Sequence, residues 1–124
     1  MAKPGTVIGW LLAEDDRERL LEQFEPRYEK TVAHHVTLKT DAADDHLPPE
    51  VRAQVVGTTD DDEGVQAMVV AIDGTTDRPD GSTYHITWSL GEGRRARESN
   101  SVLKERGWEK FDHPIPIGLE PGRF

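Results

Sequence analysis

The 124-residue chain contains no cysteine, which excludes disulfides, thiolate catalysis and cysteine-ligated zinc. It also lacks any apolar stretch near the ~20 residues that a membrane span needs. The short run from Thr6 to Leu12 gives way to acidic sequence without a small-residue cleavage site, so it reads as a strand rather than a signal peptide. A soluble, cytoplasmic protein is therefore expected. Basic charge is scarce: 15 Lys and Arg stand against 24 Asp and Glu, for a net charge of −9. Binders of long nucleic acid carry the opposite balance. Linkers, low-complexity segments and solenoid-length repeats are missing as well, so residues 1–124 are expected to form one domain and to act as a monomer. A chain of this length buries roughly two-thirds of its unfolded surface and needs no covalent staple.

Local signals predict an α+β domain with a largely antiparallel sheet. A strand is expected over 6–12. A helix follows, with Asp15 and Glu18 at capping-box spacing, Leu20, Leu21 and Phe24 on its buried side, and Pro26 beyond its end. Further strands are predicted over 31–40, 51–56, 65–72 and 82–90, with 57–64 as a hairpin loop. Ser99 reads as the N-cap of a second helix that ends at Gly107. The tail from Phe111, with Pro114, Pro116 and Pro121, suits an edge strand or a strap.

One short repeat stands out. Ala33-His34-His35-Val36-Thr37-Leu38 and Thr83-Tyr84-His85-Ile86-Thr87-Trp88 both read His-aliphatic-Thr-apolar. Alternate side chains of a strand share a face. His35 and Thr37 therefore point one way and Val36 and Leu38 the other. The same division separates His85 and Thr87 from Ile86, Trp88 and Leu90. By the same alternation His34 falls opposite His35 and reads as structural, while Lys39 lies in line with His35 and Thr37, and Ser89 with His85 and Thr87. Arg94, in the basic cluster Arg94-Arg95-Ala96-Arg97, follows the second motif closely.

Two imidazoles and two hydroxyls in one cleft suit phosphoryl transfer. One histidine can activate water while the other protonates the departing oxygen, because imidazole titrates closest to neutrality. Thr37, Thr87, Lys39, Ser89 and Arg94 are the candidate phosphate ligands, stabilising the charge that develops in the transition state. Neither a metal nor another cofactor is required. A strand His-x-His metal pattern is absent, and Asp60-Asp61-Asp62-Glu63 lacks the spacing of a calcium loop.

The paired tetrapeptides resemble those of the 2H phosphoesterase superfamily, whose members carry two such motifs on the central strands of two pseudo-symmetric lobes. The run Tyr84 to Ser89, a glycine-bearing loop and Ser99-Asn100 opening a helix are most similar to the small cyclic phosphodiesterase domains of fungal-type tRNA ligases and their stand-alone relatives. That resemblance implies bilobal antiparallel sheets with flanking helices, His35 and His85 as the catalytic pair, and Thr37 and Thr87 as the phosphate-binding pair. It implies hydrolysis of a 2′,3′-cyclic phosphate on an RNA end or small nucleotide. Two alternatives stay open: a phosphodiesterase that degrades cyclic or 2′-5′-linked oligonucleotides, and a non-catalytic module that binds a nucleotide or RNA end. Ser99 and Asn100 at a helix start could offer amides to an anion, and Trp10 or Tyr84 could stack on a base.

Overall fold

Alternation of apolar and polar residues builds most of this fold as sheet. The computed structural model describes residues 4–124. In chain order the elements are β1 (Ile8–Leu12), α1 (Glu14–Gln23), β2 (Lys30–Thr31), β3 (His35–Lys39), β4 (Ala53–Asp60), β5 (Val65–Ile72), β6 (His85–Leu90), α2 (Glu98–Arg106), β7 (Glu109–Ile117) and β8 (Leu119–Arg123). All strand pairings are antiparallel, in the order β7-β4-β5-β6-β3-β1-β8, with β2 joining β6 as well. The domain is thus α+β, as expected from the sequence. None of its helices is long and apolar enough to cross a membrane among the described residues.

Strands β7 and β8 occupy opposite ends of that order, yet only Gly118 separates them in the chain. The sheet must therefore curl until its two edges meet at this corner. Helix α1 secures the junction: Asp16 accepts from Gly118 N–H at 2.6 Å, and Ala13 N–H donates to Gly118 carbonyl at 2.9 Å. Inside the curl, Trp10, Leu12, Val36, Val55, Met68, Val70, Ile86 and Trp88 pack with Leu20 of α1 into the main core. At roughly 25 cal/mol per Å² of apolar surface removed from water, this burial is the chief stabilising term. Helix α2 covers the outer face over β4 and β5. Both faces of β6 are consequently buried.

Several elements differ from the sequence reading. The predicted 31–40 strand is split, because Ala33 adopts φ 43° and bends the chain. Strand β4 runs on to Asp60, leaving Asp61–Gly64 as the turn. Gly57 sits at a bulge with Trp108 packed on it, and Thr59 is buried against Gly107 carbonyl, so a polar-looking stretch belongs to the sheet. Helix α1 begins one residue before Asp15, and its N-cap is Ala13, whose methyl group offers no acceptor for a cap. Helix α2 starts at Glu98, and Ser99 lies inside its first turn because its hydroxyl is bonded to β6. The proline-bearing tail supplies both edge strands.

At the β1–β3 contact Gly9 is indispensable. A Cβ there would lie 2.1 Å from Val36 carbonyl oxygen, whereas one on Gly122, its partner in β8, would meet only ordinary contacts from 3.4 Å. Gly9→Ala should lower the unfolding free energy by roughly 1–3 kcal/mol in urea titration. Gly122→Ala should stay within about 0.5 kcal/mol of the parent; equal losses would refute this account of the β1–β3 approach.

Candidate active site at the β3–β6 seam

The sheet has two halves, β7-β4-β5-β6 and β3-β1-β8, and β3 and β6 form the seam between them. Only Val36 and Ile86 pair directly across it. Both point into the core and both are fully buried. Alternation then turns His35, Thr37, His85 and Thr87 to the outer face. Extending the register from that pair toward the end of β3 sets Thr37 beside His85. His35, just before Val36, lies near enough to His85 for the two rings to feel each other electrostatically.

A bulge shapes the β3 side. Ala33 N–H donates to Thr87 carbonyl at 2.9 Å, and the next β6 residue, Ile86, already pairs with Val36. His34 and His35 are therefore two extra residues on the bulged segment. Arg17 holds the bend, donating from Nε to Ala33 carbonyl at 2.8 Å. As a result His34 does not lie opposite His35 near the core, as strand alternation predicted. It is exposed, and its Nδ1 lies 2.9 Å from Nδ1 of His35. The Phe124 ring covers His35 with centroids 4.4 Å apart.

His85 is 8% exposed, and its Nδ1 lies 2.8 Å from Thr83 carbonyl. A carbonyl only accepts, so Nδ1 carries the proton and neutral His85 keeps its lone pair on Nε2. Burial pushes His35 down to about 4, with His34 and His85 adding to the shift. Burial also lowers His85, outweighing the carbonyl bond that favours its charged form, and the positive charge of Arg78 acts in the same direction.

The threonines differ. Thr87 is buried, its hydroxyl 2.9 Å from that of Ser99 and 3.3 Å from Ala96 carbonyl, so it anchors the first turn of α2. The half-buried Thr37 hydroxyl has no hydrogen-bond partner among the described residues and is free to donate.

Three sequence-chosen ligands serve elsewhere. Lys39 is exposed and paired with Asp45 at 2.6 Å. Ser89 is fully buried, donating to Gln66 at 2.5 Å and accepting from Tyr28 N–H at 3.1 Å. Arg94 is held by Asp61 at 2.9 Å and by Glu98, fastening the Asp61–Gly64 turn to α2. The cation that does reach the seam is Arg78, whose side chain is 9% exposed. It donates to Asn100 on α2 at 3.0 Å and to Thr37 carbonyl at 3.4 Å, and it pairs with Asp80. Its Arg-Pro-Asp-Gly turn signalled only a loop. No group of three or more metal-ligating side chains converges among the described residues.

Both histidines are held neutral by folding, which gives stability a pH dependence. The unfolded chain takes up protons at the ordinary imidazole value of about 6.5, whereas His35 in the folded protein does so only at about 4. Stability is therefore expected to be complete above about 6.5 and to fall as pH drops toward 4. Asp80, held down to about 2 chiefly by Arg78, contributes its loss at lower pH. Thermal unfolding of wild type and His35→Gln between pH 7 and 5 checks this. The variant should show the shallower fall, and an unchanged slope would remove His35 as its source.

Comparison with protein-family models, curated proteins and solved structures finds no match to this chain.

Proposed function

We propose that the chain is a phosphodiesterase of the 2H type, opening a 2′,3′-cyclic phosphate on an RNA end or small nucleotide to a phosphomonoester. The observation that carries this reading is the antiparallel register at Val36 and Ile86, which lays the two His-x-Thr motifs side by side on one face. Sequence alone makes the motifs similar to those of the 2H phosphoesterase superfamily, and the two sheet halves that meet at this seam would correspond to its two lobes. The chemistry needs a base on one side of phosphorus and an acid on the other. One imidazole removes a proton from water as its oxygen bonds to phosphorus; the other protonates the ribose oxygen as its bond to phosphorus breaks.

The surroundings favour an anion despite the net charge of −9. Thr37 has a hydroxyl to donate. The N-terminal turn of α2, held to Thr87 through Ser99, brings the positive end of its dipole to the seam. Arg78 adds a fixed positive charge behind His85. Small nucleotides or RNA ends suit such a local patch better than long nucleic acid, which needs an extended basic surface.

Hydrolysis of a nucleoside 2′,3′-cyclic phosphate in the presence of chelator tests the reading. His35→Ala and His85→Ala should each reduce kcat/KM by roughly 10²–10⁴-fold, the usual worth of general acid–base catalysis. Because both imidazoles are held below their ordinary range, kcat/KM should rise with pH on the acid side of about 6.5, as the base loses its proton, and level off through neutrality. Turnover that survives both substitutions, or that vanishes with chelator alone, would overturn the two-histidine reading. Cyclic and 2′-5′-linked oligonucleotides in the same assay decide the substrate.

A further inference from the structure

The two histidines at the seam differ in what their Nδ1 atoms face: a backbone carbonyl at His85 and a third histidine at His35. His85 Nδ1–H is committed to Thr83 carbonyl, so the neutral ring can only accept at Nε2. His35 Nδ1 faces another imidazole nitrogen, His34 Nδ1, at 2.9 Å. Such a contact requires one donor and one acceptor. When His34 donates, His35 accepts at Nδ1 and its own proton resides on Nε2.

We infer that His34 is a positioning residue: it donates from Nδ1 to His35 Nδ1, fixes the His35 proton on Nε2 so that His35 serves as the acid opposite the base His85, and replaces that proton during turnover. This assignment rests on the phosphodiesterase reading given above. The bulge that carries both residues, the Arg17 bonds to Ala33 and Val32 carbonyls, and the Phe124 ring on His35 hold the arrangement in place.

The protons balance. His85 Nε2 takes a proton from water as the water oxygen bonds to phosphorus. The ribose oxygen leaves phosphorus and takes the Nε2 proton of His35. The Nδ1 proton of His34 crosses to His35 Nδ1, and exposed His34 takes a proton at Nε2 from solvent. His85 returns its proton to solvent; His35 Nε2 then takes a proton from solvent as its Nδ1 proton returns to His34 Nδ1 and His34 Nε2 releases one, which restores the starting tautomers. A neutral, half-buried His35 can therefore act as an acid without first becoming an imidazolium and without being left as an imidazolate. The charged and titratable groups around this relay are His85 on β6, with Arg78 and Asp80 behind it. On the solvent side Glu14, Arg17 and Glu120 share with His34 a hollow of about 370 Å³.

Two measurements on the full chain test the assignment. Imidazole ¹⁵N NMR should find neutral His35 protonated at Nε2 and neutral His85 at Nδ1, and His34→Ala should erase the preference at His35 while leaving His85 unchanged. Kinetics should then compare a nucleoside 2′,3′-cyclic phosphate, whose leaving alkoxide needs a proton, with a p-nitrophenyl phosphodiester, whose leaving phenolate does not. His34→Ala should lower kcat on the cyclic phosphate by about 10–100-fold, the usual worth of a group that orients another, with KM unchanged. It should leave the nitrophenyl ester untouched, whereas His85→Ala should impair both substrates. A His35 proton found on Nδ1, or equal losses on both esters in His34→Ala, would overturn the role of His34. Wild-type protein inert toward both esters would instead defeat the phosphodiesterase reading, and the tautomers measured in the same sample would still decide whether His34 sets the proton of His35.

Discussion

One backbone pairing, between Val36 and Ile86, joins β3 and β6 at the place where the two His-x-Thr motifs lie. Its side chains belong to the core, so hydrophobic burial sets the register, and a slip of either strand by one residue would turn its motif inward. The bulge beside it depends on the same constraint. Thr87 carbonyl is already bonded to Ala33, so the two residues between Ala33 and Val36 have no partner on β6 and stand out from the ladder. Those residues are His34 and His35. At the far corner β7 passes into β8 through Gly118, so the chain itself links the two edges there, and Asp16 of α1 holds the link.

Electrostatics at the seam follows from how each group is tied down. An acidic chain can still favour an anion locally, because exposed charges are screened over about 10 Å at ordinary ionic strength. Nearer by, Asp80 is matched by Arg78, and that pair is bonded into the turn, β3 and α2 together. Burial favours the neutral form of both imidazoles. Thr87 is engaged with Ser99, which leaves Thr37 as the threonine of the pair with a free hydroxyl.

Legibility in the sequence depended on range. The motifs themselves could be read, because strand alternation is local and both are flanked by core residues. Lys39 and Ser89 were chosen by that same alternation, and it does place Ser89 on the outer face. Alternation carries no information about Asp45, Gln66 or Tyr28, which occupy those side chains. Arg94 was chosen by nearness along the chain, but carboxylates at both ends of its loop claim it. Arg78 went unnoticed because a turn residue gains its role only when the turn docks on two other elements. His34 was misassigned because a positive φ at Ala33, a residue type that seldom adopts one, breaks the alternation just before it.

Periodicity and composition by themselves determined an α+β domain, an antiparallel sheet, a cysteine-free chemistry and two His-x-Thr strands with one polar face each. These are consequences of the two-residue repeat of a strand and of which side chains prefer water. Tertiary structure decided which strands are neighbours, that the sheet curls so that both edges meet at Gly118, and which polar groups remain unspent after the fold has satisfied its own hydrogen bonds. That last selection cannot be local. A buried donor or acceptor takes whatever partner the packed chain brings to it, and those partners come from residues as far apart as Asp16 and Gly118 or Arg78 and Thr37.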